Sequence, residues 1–88
     1  MPNIETTDHF EEAFRKLPAD IRRKVIIALR YLAENPRHPS LRTKAVKGAP
    51  GIYEARVYKN YRMTYERLPG DALRLRVVAR HNEALKKP

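Results

Sequence analysis

The stretch Ile52-Tyr53-Glu54-Ala55-Arg56-Val57-Tyr58-Lys59-Asn60-Tyr61-Arg62-Met63-Thr64-Tyr65-Glu66 decides the fold. Apolar and polar residues alternate along it with period two, as expected for strands that bury one face. Tyr53, Ala55 and Val57 alternate with Glu54, Arg56 and Tyr58; Met63 and Tyr65 alternate with Arg62, Thr64 and Glu66. Lys59-Asn60 between them reads as a tight turn, because asparagine tolerates positive φ. Leu68-Pro69-Gly70-Asp71 is a second turn signal. Leu73, Leu75, Val77 and Ala79 then mark a third strand, with Arg74, Arg76 and Arg80 on its other face.

The pattern changes upstream. Phe10, Ala13, Phe14 and Leu17 recur at i, i+3, i+4 and i+7 after Asp8, which stands in capping-box spacing to Glu11. Pro18 ends this helix, and Ile21, Val25, Ala28, Leu29 and Leu32 continue in a second as far as Asn35-Pro36. Residues 36–51 read as loop with a short strand within Thr43–Lys47, and Asn3–Thr6 as a further strand. Asn82–Lys87 reads as one helical turn. The expected architecture is α+β: one domain over residues 1–88, with an N-terminal helical hairpin packed on one face of a three- to four-stranded antiparallel sheet.

Composition narrows the chemistry. The 88 residues carry no cysteine, which excludes a disulfide framework, a thiolate metal site and a cysteine nucleophile. His9, His38 and His81 lack metal-ligand spacing, so neither metal nor cofactor is expected. No apolar run approaches the roughly 20 residues needed to span a bilayer, and acidic residues crowd the amino end, so the cytoplasm is the expected compartment. The formal net charge is +9 and is unevenly spread. Residues 1–40 hold seven basic and six acidic groups, whereas residues 41–88 hold twelve and four. Such an imbalance points to a polyanionic partner, most simply nucleic acid.

If the apolar members of each strand face the helices, the opposite face gathers Glu54, Arg56, Arg62, Thr64, Glu66, Arg74, Arg76 and Arg80, with His81 at the strand end. This set suits RNA phosphodiester cleavage. That reaction needs a base for the 2′-hydroxyl, an acid for the departing 5′-oxygen, and fixed cations around phosphorus. Glu54 is the candidate base, His81 the acid, and Arg56 and Arg62 the phosphate clamp. Lys44, Lys47, Arg74, Arg76 and Arg80 are candidate contacts to RNA phosphates. A plainer reading of Glu54 and Arg62 is a cross-strand ion pair. Tyr53, Tyr58, Tyr61 and Tyr65 suit base stacking or strand packing, with Tyr53 and Tyr65 on the core parity.

Several strings resemble the RelE/ParE superfamily of bacterial toxins from type II toxin–antitoxin pairs. They are Arg15-Lys16-Leu17-Pro18, Asn35-Pro36-Arg37-His38-Pro39, Lys47 through Val57, Asn60-Tyr61-Arg62-Met63-Thr64-Tyr65 and Val77 through Glu83. The resemblance implies two helices packed on an antiparallel sheet, and ribosome-dependent cleavage of messenger RNA neutralised by a cognate antitoxin. It places Arg62 at the arginine that contacts the scissile phosphate, Arg56 at a basic position of the preceding strand, and His81 near the strand-end arginine or histidine. Glu54 departs from RelE, which has lysine there, and with His81 is similar to the YoeB branch, whose glutamate and histidine act as base and acid. Asn82 stands where the family string has aspartate, and no tyrosine occupies the C-terminal position that some branches use. The resemblance also leaves open a ParE-like gyrase poison and an inactive binding module.

Overall fold

The computed structural model describes residues 2–88. Its elements run β1 (Asn3–Glu5), α1 (Asp8–Arg15), α2 (Ala19–Glu34), a 3-10 turn (Pro39–Leu41), β2 (Lys44–Ala45), β3 (Ile52–Tyr58), β4 (Tyr61–Leu68), β5 (Ala72–Arg80) and α3 (His81–Lys86). The strands form one sheet in the order β1-β5-β4-β3-β2. The sheet therefore has five strands and is mixed, not three or four and antiparallel. β2, β3, β4 and β5 pair antiparallel, but β1 lies parallel to β5, with Ile4 opposite Leu73. The parallel pairing follows from topology: α1, α2 and three strands intervene, so β1 reaches β5 from the far edge.

The two long helices cover one face without forming a separate hairpin. α1 packs on β5 and α2 on β3, because each has its own apolar stripe and the sheet is wide enough for both. Thr7, not Asp8, caps α1. Its Oγ1 accepts the Phe10 N–H at 3.2 Å and donates to the Leu75 carbonyl at 3.1 Å, so one hydroxyl both starts the helix and ties it to the sheet. Glu11 instead accepts from the Thr6 hydroxyl. α2 starts directly after Pro18 and stops at Asn35, which is extended ahead of Pro36.

Between the helices and the sheet lie Val25, Leu32, Met63, Tyr65, Leu75 and Val78, all essentially sealed from solvent. Each such aliphatic side chain stabilises the fold by about 1.5–3 kcal/mol relative to exposure. The opposite face is covered in part. α3 packs on β4 and β5 with Ala84 fully buried, and Thr64 beneath it donates to the Pro88 carbonyl at 2.9 Å.

Two β-bulges change which side chains face which way. Between the pairs Arg56–Arg62 and Tyr58–Tyr61, β3 has one extra residue, Val57. Tyr58 therefore moves to the helix face, where Lys24 of α2 sits 5.1 Å from its ring centre. Neither Lys59 nor Asn60 has positive φ, so the turn is not of the mirror-image types whose twist suits a hairpin unaided. The extra residue supplies the added local twist. Between Thr64–Val77 and Tyr65–Leu75, β5 has the extra residue Arg76. Val77 and Ala79 thus pair with Thr64 and Arg62 on the α3 face, while Val78 takes the core position opposite Met63. Arg80 pairs with Tyr61 on the other parity, 6.0 Å over its ring.

Candidate nucleic-acid cleavage site

The β3–β4 hairpin brings the first candidates together. Glu54 lies opposite Thr64 and beside β2, where Lys44 is its cross-strand partner. Its carboxylate is only 4% exposed and stands 3.9 Å from both the Lys44 ammonium and the Arg62 guanidinium. The cross-strand ion pair legible in the sequence is thus present. Arg56 pairs directly with Arg62, placing two guanidinium groups on adjacent strands.

Arg62 is held by the turn beside it. Its Nη1 donates to the carbonyls of Lys59 at 2.9 Å and Tyr61 at 3.0 Å, with the Tyr58 carbonyl at 3.4 Å. Burial lowers the Arg62 pKa; Glu54 opposes that shift, while Arg56 and Arg42 reinforce it. Arg42 takes part because the residue after the 3-10 turn is left-handed, with φ of 47°. Lys44 and Arg62 thus flank one buried carboxylate, and Arg42 and Arg56 add their charge around Arg62. The surplus positive charge at this end of the sheet is what a phosphate chain would neutralise.

His81 sits at the same end. It begins α3 directly after β5, and its N–H is bonded to the Asn60 carbonyl of the hairpin turn. This bond fastens the start of α3 to the turn that also holds Arg62. Between them is a cleft of about 540 Å³ lined by Lys59, Asn60, Arg62, Arg80, His81, Asn82 and Glu83. His81 Nδ1 lies 3.3 Å from Asn82 Oδ1. A hydrogen-bond acceptor facing Nδ1 favours the proton there and turns Nε2 to the outside.

The remaining candidates lie apart from the cleft. Arg74 donates to Glu5 at 2.9 Å and Glu66 at 3.1 Å, and these contacts raise its pKa. Arg76 donates to the Pro88 carbonyl at 3.0 Å and to Glu66 at 3.4 Å. Both belong to a carboxylate-bearing network at the far end of the same face. Lys47 is exposed in the turn before β3, also away from the hairpin end. Tyr53 and Tyr65 stack on each other with ring centres 5.7 Å apart, and Tyr65 is in the core. Among the described residues, no three His, Asp or Glu side chains gather as a metal ion requires, and no helix is long and apolar enough to cross a membrane.

Lys59, Asn60, Glu83 and Arg42 were not singled out as site residues by sequence reasoning, and Asn82 was singled out only as a departure from the family string. For Glu83 a signal existed: a carboxylate two residues beyond the strand-end histidine shares the first turn of any helix begun there. Lys59, Asn60 and Arg42 depend on turn geometry that alternation does not encode.

No protein-family model and no curated protein matches the sequence. The fold, in contrast, has close counterparts among solved structures. The archaeal RelE–RelB complex from Pyrococcus horikoshii contains a chain with a TM-score of 0.75 and 17% identity, over 94% of this chain and 98% of that one. The YoeB/ParE toxin from Agrobacterium tumefaciens gives a TM-score of 0.75 and 17% identity, over 90% and 98%. YafQ from E. coli gives 0.73 and 18%, over 94% and 97%. Over nearly its whole length, the chain has the fold of the RelE, YoeB and YafQ toxins.

Proposed function

We propose that this chain is a RelE-type toxin: an endoribonuclease that cuts messenger RNA on the ribosome, acts in the cytoplasm and is neutralised by a cognate antitoxin. The observation that carries the reading is the cleft at the hairpin end, where Arg62, Arg80 and Lys59 converge with His81. Fixed cations beside a proton-transfer group are what transphosphorylation needs. Arg62 and Arg56 hold the scissile phosphate, and His81 protonates the departing 5′-oxygen. Arg80 and Lys44 contact neighbouring phosphates. No step of this scheme requires a metal ion. The antitoxin is supported by the fold counterparts, since the RelE chains of P. horikoshii and E. coli are in complexes with RelB.

The test is induction of the chain alone in a bacterial host, with messenger RNA 5′ ends mapped after a few minutes. Cuts within translated regions, in register with codons and absent for Arg62→Ala, are expected. Growth arrest with intact messages and gyrase-bound linear DNA would replace this reading with a gyrase poison. Neither arrest nor cuts would leave a binding module.

A further inference from the structure

The proposed cleavage lacks one participant: the base that removes the 2′-hydroxyl proton. Glu54 is poorly placed for it. A base must come within about 2.6–3.2 Å of the oxygen it deprotonates, yet this carboxylate is 4% exposed and flanked at 3.9 Å by Lys44 and Arg62. A substrate oxygen would have to displace one of those cations to reach it. Glu83 presents the opposite case. It is exposed, lines the cleft with Arg62 and His81, and has no ion pair with any described residue. It also shares the first turn of α3 with His81.

Resting on the nuclease reading, we infer that Glu83 is the general base of this site, that Asn82 is a positioning residue aiming His81, and that Glu54 serves to hold Arg62. The proton ledger closes. The 2′-hydroxyl gives its proton to the Glu83 carboxylate as O2′ bonds to phosphorus. The P–O5′ bond breaks, and the 5′-oxygen takes a proton from His81 Nε2, leaving a 2′,3′-cyclic phosphate and a 5′-hydroxyl. Asn82 Oδ1 accepts from His81 Nδ1, the arrangement that leaves Nε2 free to donate. Lys59, Arg62 and Arg80 line the same cleft as Glu83 and His81, beside the position the reacting phosphate would take.

The experiment is single-turnover cleavage of a short message on a programmed ribosome, using the full chain. One message carries a normal phosphodiester at the cut site, and a second carries a 5′-bridging sulfur, a leaving group that needs no acid. Glu83→Gln is expected to slow cleavage of both messages, by about 10²-fold or more. His81→Ala is expected to slow only the normal message and recover on the sulfur one. Asn82→Ala moves the alkaline limb of the pH–rate profile to lower pH, because imidazolium loses an acceptor among Arg62, Arg80, Lys59 and Glu83; Asn82→Asp restores it. Glu83→Gln within threefold of the unaltered chain, or rescued by sulfur, overturns the assignment. An unmoved limb in Asn82→Ala overturns the positioning role. If the unaltered chain cuts neither message, the nuclease reading itself fails. If that chain cuts, and Glu54→Gln abolishes cutting in a folded protein while Glu83→Gln leaves it within threefold, only the present assignment fails.

Discussion

Arg62 and Arg74 lie on the same face of adjacent strands, and their surroundings shift them in opposite directions. Arg62 is at the hairpin end, where burial and two neighbouring arginines outweigh one carboxylate and lower its pKa. Arg74 is at the far end, where Glu5 and Glu66 both bond it and raise its pKa. Composition treats the two as equal contributions to a basic half. The structure separates them: one end of the face has more cations than local carboxylates, and the other is internally paired. Excess charge at the first end is available to an external anion, whereas charge at the second is already engaged.

The strongest way to break that distinction is to compare Arg62→Ala with Arg76→Ala in cleavage. Removing a cation that contacts the reacting phosphate is expected to cost about 10²–10³ in rate, as for other transition-state donors. Removing Arg76 should change the rate by less than about threefold, since the exposed pair it loses is worth little. Comparable losses in the two variants, in folded protein, would show that the ends do not differ functionally.

Stability offers a second contrast. Glu54→Gln removes the carboxylate between Lys44 and Arg62 and leaves Arg62 facing Arg56 and Arg42 in a partly desolvated setting. Breaking a buried pair from one side costs about 3–5 kcal/mol when both partners are buried. Arg62 retains some exposure and its turn carbonyls, so about 2 kcal/mol is expected here. Glu66→Gln, on the more open end, should cost under about 1 kcal/mol. Urea melts of the two variants at neutral pH measure the difference directly, and equal midpoints would contradict the burial argument.

Much of this was legible in the sequence, and the failures have a common cause. Alternation from Ile52 to Glu66 and the helical stripes ending at Leu17 and Leu32 located β3, β4, α1 and α2, because burial of one face leaves a period in the sequence. Arg62 and His81 were both named as candidates. What alternation misses is a change of phase. The extra residues Val57 and Arg76 leave composition untouched yet move Tyr58, Val77, Ala79 and Arg80 to the opposite face. The capping position slipped by one, because Thr7 and Asp8 are both good caps, and only the carbonyl of Leu75 selects the hydroxyl. The parallel placement of β1 and the cover provided by α3 are long-range results of packing, and short segments carry little pattern from which to read them.

The smallest effect tests the paired end most directly. If Glu66 is what keeps Arg74 and Arg76 from RNA, then Glu66→Gln should release them as new phosphate contacts. RNA affinity at low salt should rise a few-fold, and the log–log salt dependence should steepen by about 1 for each arginine released. Arg74→Ala alone should leave both quantities unchanged, but added to Glu66→Gln it should remove Arg74's share of the gain, leaving that of Arg76. That non-additivity is the informative result, because it distinguishes an arginine occupied by its carboxylates from one that RNA never approaches. If Arg74→Ala by itself lowers the salt slope by about 1, the ion pairs open readily to RNA. The far end would then be part of the binding track, and geometry alone would not have distinguished the two arginines.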